Sequence, residues 1–101
     1  MLRVGKIPAM SRLSGRRHLI SGVVQGVGFR YFAERAAREI GVTGWVRNLD
    51  DGRVEVRANG TISQLDDFEM RLRQGPAHAD VRSVEVTEAP VLELKGFHIR
   101  H

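Results

Sequence analysis

The fold is decided by residues 16–41, RRHLISGVVQGVGFRYFAERAAREIG, which join an apolar run to an amphipathic one through two close glycines. The opening RRHLISGVV has β-branched and aliphatic side chains between a charged start and the break at Gly26, a pattern typical of a strand. From Phe29 onward, apolar residues recur at helical spacing and charged residues occupy the other faces. The spacing predicts an amphipathic helix that ends at Gly41, where glycine can adopt the left-handed conformation of a helix end.

A hairpin and a second helix are predicted next. Residues 42–49 and 53–58 have strand patterns on either side of the turn sequence DDG, which predicts an antiparallel pair. Thr61 and Gln64 have the spacing of a capping box at the start of an apolar helical stripe. The sequence GPA ends that stripe at Gly75.

Two more strand patterns, VRSVEVTEA at residues 81–89 and FHIR at residues 97–100, complete the chain. The predicted order is therefore βαββαβ, closed by a short final strand. Both helices have an apolar face that must be buried against another element, and several strands alternate apolar with polar residues. The most economical packing is one antiparallel sheet with both helices on one face, which is the ferredoxin-like α/β sandwich of the α+β class.

The composition indicates a single domain with anionic partners. A chain of 101 residues is long enough for one core and too short for two. It has no cysteine and no apolar stretch of membrane-spanning length, and its first residues are too charged for a signal peptide, so we expect a cytoplasmic protein. The net charge of +4 favours anionic partners. Residues 1–15 are basic and lack periodicity, which predicts a flexible arm before a domain at residues 16–101.

The segment QGVGFR at residues 25–30 connects the first strand to the first helix. Amides in the first turn of a helix lack carbonyl partners within the helix and lie at the positive end of its dipole. Gly26 and Gly28 let the main chain curl around an anion, and the planar fork of Arg30 matches phosphate oxygens. The segment thus favours main-chain binding of a phosphate-sized anion. On geometry alone, a simple tight turn fits equally well.

Two better-known glycine motifs are excluded. A dinucleotide fingerprint needs a third glycine at the position of Tyr31. A P-loop ends in Gly-Lys-Ser or Gly-Lys-Thr, which this segment lacks.

Two stretches resemble the signatures of the acylphosphatase family. GVVQGVGFR at residues 22–30 is similar to the first signature, G-x-V-Q-G-V-x-F-R. GWVRN at residues 44–48, followed by Gly52, Val54 and Gly60, is similar to the second, G-W-V-x-N-x-x-x-G-x-V-x-x-x-x-x-G. Both match at every fixed position and in the family's order, and the resemblance covers the chain after the basic arm.

The resemblance implies hydrolysis of acyl phosphates, the mixed anhydrides of a carboxylic acid and phosphate, with no metal, cofactor or covalent enzyme intermediate. By motif position it implies that Arg30 is the catalytic arginine and that Asn48 orients the attacking water. The phosphate-binding residues it implies are Gln25, Gly26, Val27, Gly28, Phe29 and Arg30. The substrate would be a small acyl phosphate, with inorganic phosphate as product and inhibitor. We expect a monomer that binds neither membrane nor nucleic acid.

The chemistry of the two implied catalytic side chains fits this role. An acyl phosphate already has a good leaving group, so holding a water in line and neutralising the phosphoryl oxygens can suffice. Arg30 and the neighbouring amides would neutralise charge. The Asn48 amide can hold a water through a donor and an acceptor but cannot take its proton, so a phosphate oxygen of the substrate would accept it.

Two alternatives remain open from the sequence. RNA-recognition domains share the βαββαβ order, and a basic protein suits RNA. Their aromatic base-stacking residues belong on the third strand, however, and residues 53–58 contain no aromatic. The second alternative is a non-catalytic domain that binds an acyl or carbamoyl phosphate.

Other polar and aromatic candidates have structural interpretations. Asp50 and Asp51 are interpreted as turn residues and Trp45 as partial core. Four histidines lack the spacing of metal ligands, and we expect no metal site among them: His18, His78, His98 and His101.

Overall fold

The structure, a computed structural model, describes residues 12–101. Its elements are β1 (Ser14–Val23), α1 (Phe29–Ile40), β2 (Thr43–Asn48), β3 (Val54–Gly60), α2 (Ile62–Gln74), β4 (Asp80–Glu88) and β5 (Phe97–Arg100). Every predicted helix and strand is present. The predicted arm falls mostly outside the described residues, but Ser14 and Gly15, which the prediction assigned to it, belong to β1.

The five strands form one sheet in the order β4-β1-β3-β2-β5. The pairs β1–β3, β1–β4 and β2–β3 are antiparallel, which confirms the predicted hairpin. β5 instead pairs parallel to β2, with Ile99 opposite Val46. The ferredoxin-like sandwich is confirmed, but the sheet is mixed rather than wholly antiparallel. The reason is that the connection after β4 carries the chain to the opposite edge before β5 begins.

Both helices cover the same face of the sheet. α1 packs on β2 and β5, whereas α2 packs on β3 and β4. Three phenylalanines, Phe29, Phe68 and Phe97, are almost fully buried between the layers, and the last two meet edge to face with ring centroids 5.7 Å apart. Since Phe29 is the first residue of α1, this core anchors the start of that helix.

Residues 89–96 connect the two edges of the sheet. Asn59, near the end of β3, accepts a hydrogen bond from the Leu92 amide and donates one to the Leu92 carbonyl, both at 3.0 Å. The Gly44 amide donates to the Gly96 carbonyl at 3.0 Å, directly before β5. These bonds hold β5 beside β2, so that β1, β2 and β5 all end at the same end of the sheet.

Glu55 is buried, although the alternation in β3 placed it on the face away from the helices. Its carboxylate accepts hydrogen bonds from Arg17 of β1 and, at 2.7 Å, from Arg47 of β2. Burial opposes ionisation, but the two hydrogen bonds and the positive charges of both arginines together outweigh it and hold the pKa of Glu55 below its usual value. The ion pairs tie three strands together next to Asn48.

Candidate active site

A cavity of about 290 Å³ lies at the end of the sheet where β1, β2 and β5 finish. Its lining comes from the β1–α1 loop, the first turn of α1 and the ends of β2 and β5. The lining residues are Val24, Gly26, Gly28, Phe29, Arg30, Tyr31, Asn48, Ile99 and His101. The structure therefore brings the two implied catalytic residues, Arg30 and Asn48, to one cavity.

The two loop glycines adopt left-handed backbone conformations, with φ of 75° at Gly26 and 79° at Gly28. Side chains rarely accept such angles, so the loop's path favours glycine at both positions. A Cβ added to either glycine would meet no atom of the described residues within 4 Å. Crowding by the protein is thus not the reason for these glycines, and the space beside them is open.

The main-chain amides of this loop have no acceptors among residues 12–101. The first hydrogen bond of α1 runs from the Phe32 amide to the Gly28 carbonyl at 3.0 Å, and no side chain of the described residues caps the helix. Within residues 12–101, none of the amides of residues 25–31 donates to a carbonyl or a side chain. A run of free donors at the positive end of a helix is suited to an anion.

Arg30 differs from most other arginines in its partners. Its Nη1 donates to the Arg100 carbonyl at 3.3 Å and lies 3.2 Å from His101 Nδ1. In the described part of the chain, no carboxylate lies within 4.0 Å of its guanidinium, whereas most other arginines have such a partner. The positive charge of Arg30 is therefore available to a ligand.

Asn48 is the last residue of β2, where it pairs with Val54 of β3. The side chain is half-buried and lines the cavity. Among residues 12–101 it has no hydrogen-bonding partner for its side-chain amide. An amide with a free donor and acceptor can hold a small polar molecule such as water.

Gln25 and Val27, two of the implied phosphate-binding residues, do not line the cavity. The Gln25 side chain turns to the β2–β3 connection, where Nε2 donates to the Leu49 carbonyl at 2.7 Å and to the Arg53 carbonyl at 2.9 Å. Gln25 thereby fixes the turn that follows Asn48. This contact could not be predicted from the sequence, because the partners are 24 and 28 residues away.

Four lining residues were not predicted from the sequence: Val24, Tyr31, Ile99 and His101. Tyr31 is largely exposed at the rim. Ile99 and His101 reach the cavity because β5 joins the sheet beside β2. No local pattern places the end of the chain against the first helix, so this could not be predicted from spacing.

Two other predicted interpretations can be compared with the structure. Trp45 is buried outside the cavity, with the Arg47 and Arg100 guanidinium carbons 5.3 and 4.7 Å from its ring centroid. Asp51 is a turn residue as predicted, since it accepts hydrogen bonds from the Arg53 side chain and amide, which lower its pKa. Neither side chain takes part in the cavity.

His18 lies in the core rather than at the cavity. It is fully buried, and its ring packs edge to face on Phe68 with centroids 6.0 Å apart. Nδ1 is 3.4 Å from the Val56 carbonyl, whereas Nε2 has no partner among the described residues. Burial lowers the pKa of His18 to about 4, only partly offset by the contact with Val56.

The sequence matches the model of a known protein family over most of its length. A family model described as Acylphosphatase matches residues 16–99. The chain belongs to the acylphosphatase family. This confirms the resemblance drawn from the two signatures. The family's reaction is the hydrolysis of acyl phosphates, and the chain is an enzyme of this family.

Similar proteins include both free-standing acylphosphatases and part of a larger protein. The acylphosphatase of Solibacter usitatus (strain Ellin6076) is 49% identical over 92 residues, which cover 91% of this chain and 96% of that protein. The crystal structure of acylphosphatase from Bacillus subtilis has a TM-score of 0.84 at 40% identity, covering 89% of this chain and 100% of that one. Full-length HypF, in a phosphate- and nucleotide-bound crystal structure, matches with a TM-score of 0.82 at 26% identity, covering 97% of this chain and 13% of HypF.

Two further findings concern residues 12–101 as a whole. No helix in this range is long and apolar enough to cross a membrane. The same residues form no group of three or more histidine or acidic side chains that could hold a metal ion. The metal-free reaction stays a prediction.

Proposed function

We propose that this acylphosphatase-family enzyme binds the phosphoryl group of an acyl phosphate on the main chain of residues 25–30 and hydrolyses it with a water held by Asn48. The observation that carries the proposal is the run of amides at the start of α1 that have no acceptor among residues 12–101 and lie beside the cavity shared by Arg30 and Asn48. No metal, cofactor or covalent intermediate is needed in this mechanism.

The phosphoryl group would lie at the positive end of α1. Its oxygens would accept hydrogen bonds from the loop amides, while the planar guanidinium of Arg30 would bind two of them. Because these donors are fixed before the substrate arrives, they cost little reorganisation when charge builds up in the transition state. The open space beside Gly26 and Gly28 leaves room for the oxygens.

Asn48 would orient the attacking water. Water attacks phosphorus in line with the acyl oxygen, the bond between phosphorus and that oxygen breaks, and the products are a carboxylate and inorganic phosphate. Since an amide cannot accept the proton, a phosphoryl oxygen of the substrate takes it. The hydrogen bonds from the Gln25 side chain to the Leu49 and Arg53 carbonyls hold the turn that follows Asn48, and they would thereby help to fix the position of Asn48.

Several finer predictions belong to this proposal. Inorganic phosphate should inhibit, because it presents the same oxygens to the same donors. The monomeric state stays a prediction. The cytoplasmic location rests on the absence of cysteine and stays a prediction.

The proposal is tested by hydrolysis of benzoyl phosphate after metal removal with a chelator, with inorganic phosphate added as a competitor. We expect turnover that survives the chelator and inhibition that is competitive. Phosphate binding without turnover would favour the non-catalytic phosphate-binding alternative. Neither turnover nor phosphate binding, together with tight binding of single-stranded RNA, would favour the RNA-binding alternative instead.

A further inference from the structure

Tyr31 is a large aromatic residue that the fold does not bury. It is the third residue of α1, its side chain is 72% exposed, and it lines the rim of the cavity. Within residues 12–101 no other aromatic ring stacks on it, and its hydroxyl has no hydrogen-bonding partner. A single exposed aromatic residue is ordinary on a protein surface, so its position in the cavity is what distinguishes Tyr31.

Tyr31 and Asn48 lie on opposite sides of the start of α1. An α-helix turns by ~100° per residue, which places Tyr31 about 200° from Phe29, the residue that anchors the helix in the core. Tyr31 therefore points away from the sheet. Asn48 comes two residues after the buried Val46 of β2, so its side chain is on the face of the sheet that the helices cover. The cavity extends from one residue to the other.

This arrangement gives the acyl group of a substrate a direction. In the proposed function, a water held by Asn48 attacks phosphorus in line with the bond to the acyl oxygen. The acyl oxygen is then on the side of the phosphorus that faces away from Asn48. Because Tyr31 lies on that side, the proposed reaction directs the acyl group towards the Tyr31 ring.

The cavity also has the room and the apolar surface that an acyl group needs. Its volume of about 290 Å³ corresponds to roughly ten waters at ~30 Å³ each, which is more than a phosphorus and its oxygens fill. Besides Tyr31, three lining residues have apolar side chains: Val24, Phe29 and Ile99. An apolar wall beside a few polar donors suits a ligand with one charged end and one apolar end.

We propose that Tyr31 binds the acyl group, with its ring packed against the apolar part of the substrate, so that the enzyme binds aromatic acyl phosphates more tightly than acetyl phosphate. The inference rests on the proposed function and adds to it the half of the substrate that Arg30 and the loop amides do not contact. Two aromatic rings in offset or edge-to-face contact gain binding energy beyond the area that they bury. An acetyl group is too small to make this contact.

The kinetic test compares two substrates that differ only in the acyl group. In Tyr31→Ala we expect KM for benzoyl phosphate to rise ~3- to 10-fold, the range for one aromatic contact, and KM for acetyl phosphate to change less than ~2-fold. The kcat values and the inhibition constant of inorganic phosphate should stay unchanged, because the contact is equal in ground and transition states and lies outside the phosphoryl site. The variant keeps the main-chain amide of residue 31, and it should fold because the side chain that it removes is exposed.

Two further variants identify which part of Tyr31 matters. Tyr31→Phe keeps the ring and removes only the hydroxyl, so it should behave as the wild type. The matched control is Met70→Ala, which truncates another exposed large side chain, on α2 and outside the cavity lining. It should leave both KM values unchanged. Equal losses in Tyr31→Phe and Tyr31→Ala would contradict the inference, because the ring would not be what binds.

A binding test reports on the contact without relying on turnover. Tyr31 is the only tyrosine in the chain, so isotope labelling of tyrosine rings gives NMR signals from this residue alone. In a phosphonate analogue of benzoyl phosphate, a methylene replaces the bridging oxygen and prevents hydrolysis. The ring current of its phenyl group should shift the Tyr31 signals, whereas the acetyl counterpart and inorganic phosphate should shift them little. Tyr31 signals that the phenyl analogue leaves unmoved would overturn the inference.

The outcomes also separate this inference from the proposed function. If the wild type hydrolyses both substrates and Tyr31→Ala raises KM for both equally, or for neither, the acyl-binding role is wrong and the proposed function stands. If the wild type hydrolyses neither substrate, the proposed function fails. The phosphonates then decide the inference by themselves, since shifts caused by the phenyl analogue alone would support the Tyr31 contact and their absence would refute it.

Discussion

The two helices of this enzyme begin in opposite ways. At the start of α2, Thr61 Oγ1 accepts from the Gln64 amide at 3.1 Å, and the Gln64 side chain accepts from the Thr61 amide at 2.9 Å. At the start of α1, Gly28 has a left-handed conformation and offers no side-chain cap. A side-chain cap stabilises a helix by ~1 kcal/mol, and α1 lacks this contribution at Gly28. The start of α2 is built for stability, whereas the start of α1 keeps its donors free beside Arg30 and Asn48.

The largest effect on activity is expected from Arg30→Gln, which removes the charge beside the open helix start. Turnover of benzoyl phosphate should fall by at least ~10²-fold, the scale for losing one charge-stabilising donor. Arg35→Gln on the same helix is the matched control, because Arg35 is exposed and does not line the cavity. Near-normal turnover in Arg30→Gln would remove Arg30 from the mechanism.

His18 of β1, which packs on Phe68 of α2, should contribute most to the change in the free energy of unfolding with pH. Its pKa is about 4 in the folded chain and 6.5 for an ordinary histidine, so the unfolded chain binds more protons between these values. The free energy of unfolding is therefore highest at a pH above the ordinary histidine pKa, and it decreases as the pH falls towards the pKa of the folded His18. The loss is about 3 kcal/mol, at ~1.4 kcal/mol for each pH unit.

Denaturant unfolding of the wild type and His18→Leu at several pH values tests this prediction. The variant has no ionisable group at this position, so its free energy of unfolding should change less over the same window. Protonation of the buried Glu55 at lower pH should reduce the free energy of unfolding of both proteins by a similar amount, so its effect cancels in the comparison. Parallel curves for the two proteins would show that His18 does not cause the acid sensitivity.

Asn48→Ala should lower kcat by roughly 10- to 10²-fold, because the water loses its orienting partner while the phosphoryl site is intact. Inhibition by inorganic phosphate should be largely retained. Both quantities come from one steady-state experiment with phosphate as competitor. Loss of phosphate inhibition together with kcat would mean that Asn48 binds the phosphoryl group instead of the water.

Gly28→Ala tests whether the open space at the start of α1 is occupied by the bound phosphate. The positive φ should cost about 1–2 kcal/mol of stability. The added methyl group should also raise the inhibition constant of phosphate ~10-fold, a loss of about 1.4 kcal/mol of binding. Gly52→Ala is the matched control, since Gly52 also has a positive φ with nothing within 4 Å of an added Cβ, but lies outside the cavity lining. Equal effects of the two variants on phosphate inhibition would contradict the proposed site.

Thr61→Ala should have the smallest effect, and it should change stability without changing activity. Loss of the α2 cap should lower the free energy of unfolding by about 1 kcal/mol and leave KM and kcat unchanged. Thermal or denaturant unfolding measures the first and steady-state kinetics the second. A change in kinetics would mean that the two helix starts are coupled, contrary to the division of roles between them.

The sequence predicted what depends on neighbouring residues and missed what depends on distant ones. The bounds of α1 and the capping box of Thr61 follow from local spacing and were confirmed. The parallel direction of β5 was missed, because four residues of strand pattern do not show which way a neighbour runs. The placement of His101 beside Arg30 follows from that pairing and could not be predicted either.

The central claim is that the free amides at the start of α1 bind a phosphate dianion. Titration of the folded enzyme with inorganic phosphate, followed by amide NMR, tests it residue by residue. We predict saturable shifts at the amides of residues 25–31 and little change at those of residues 61–64, whose donors include the capped pair. The claim would be contradicted if phosphate left the amides of residues 25–31 unmoved, or shifted the two helix starts alike.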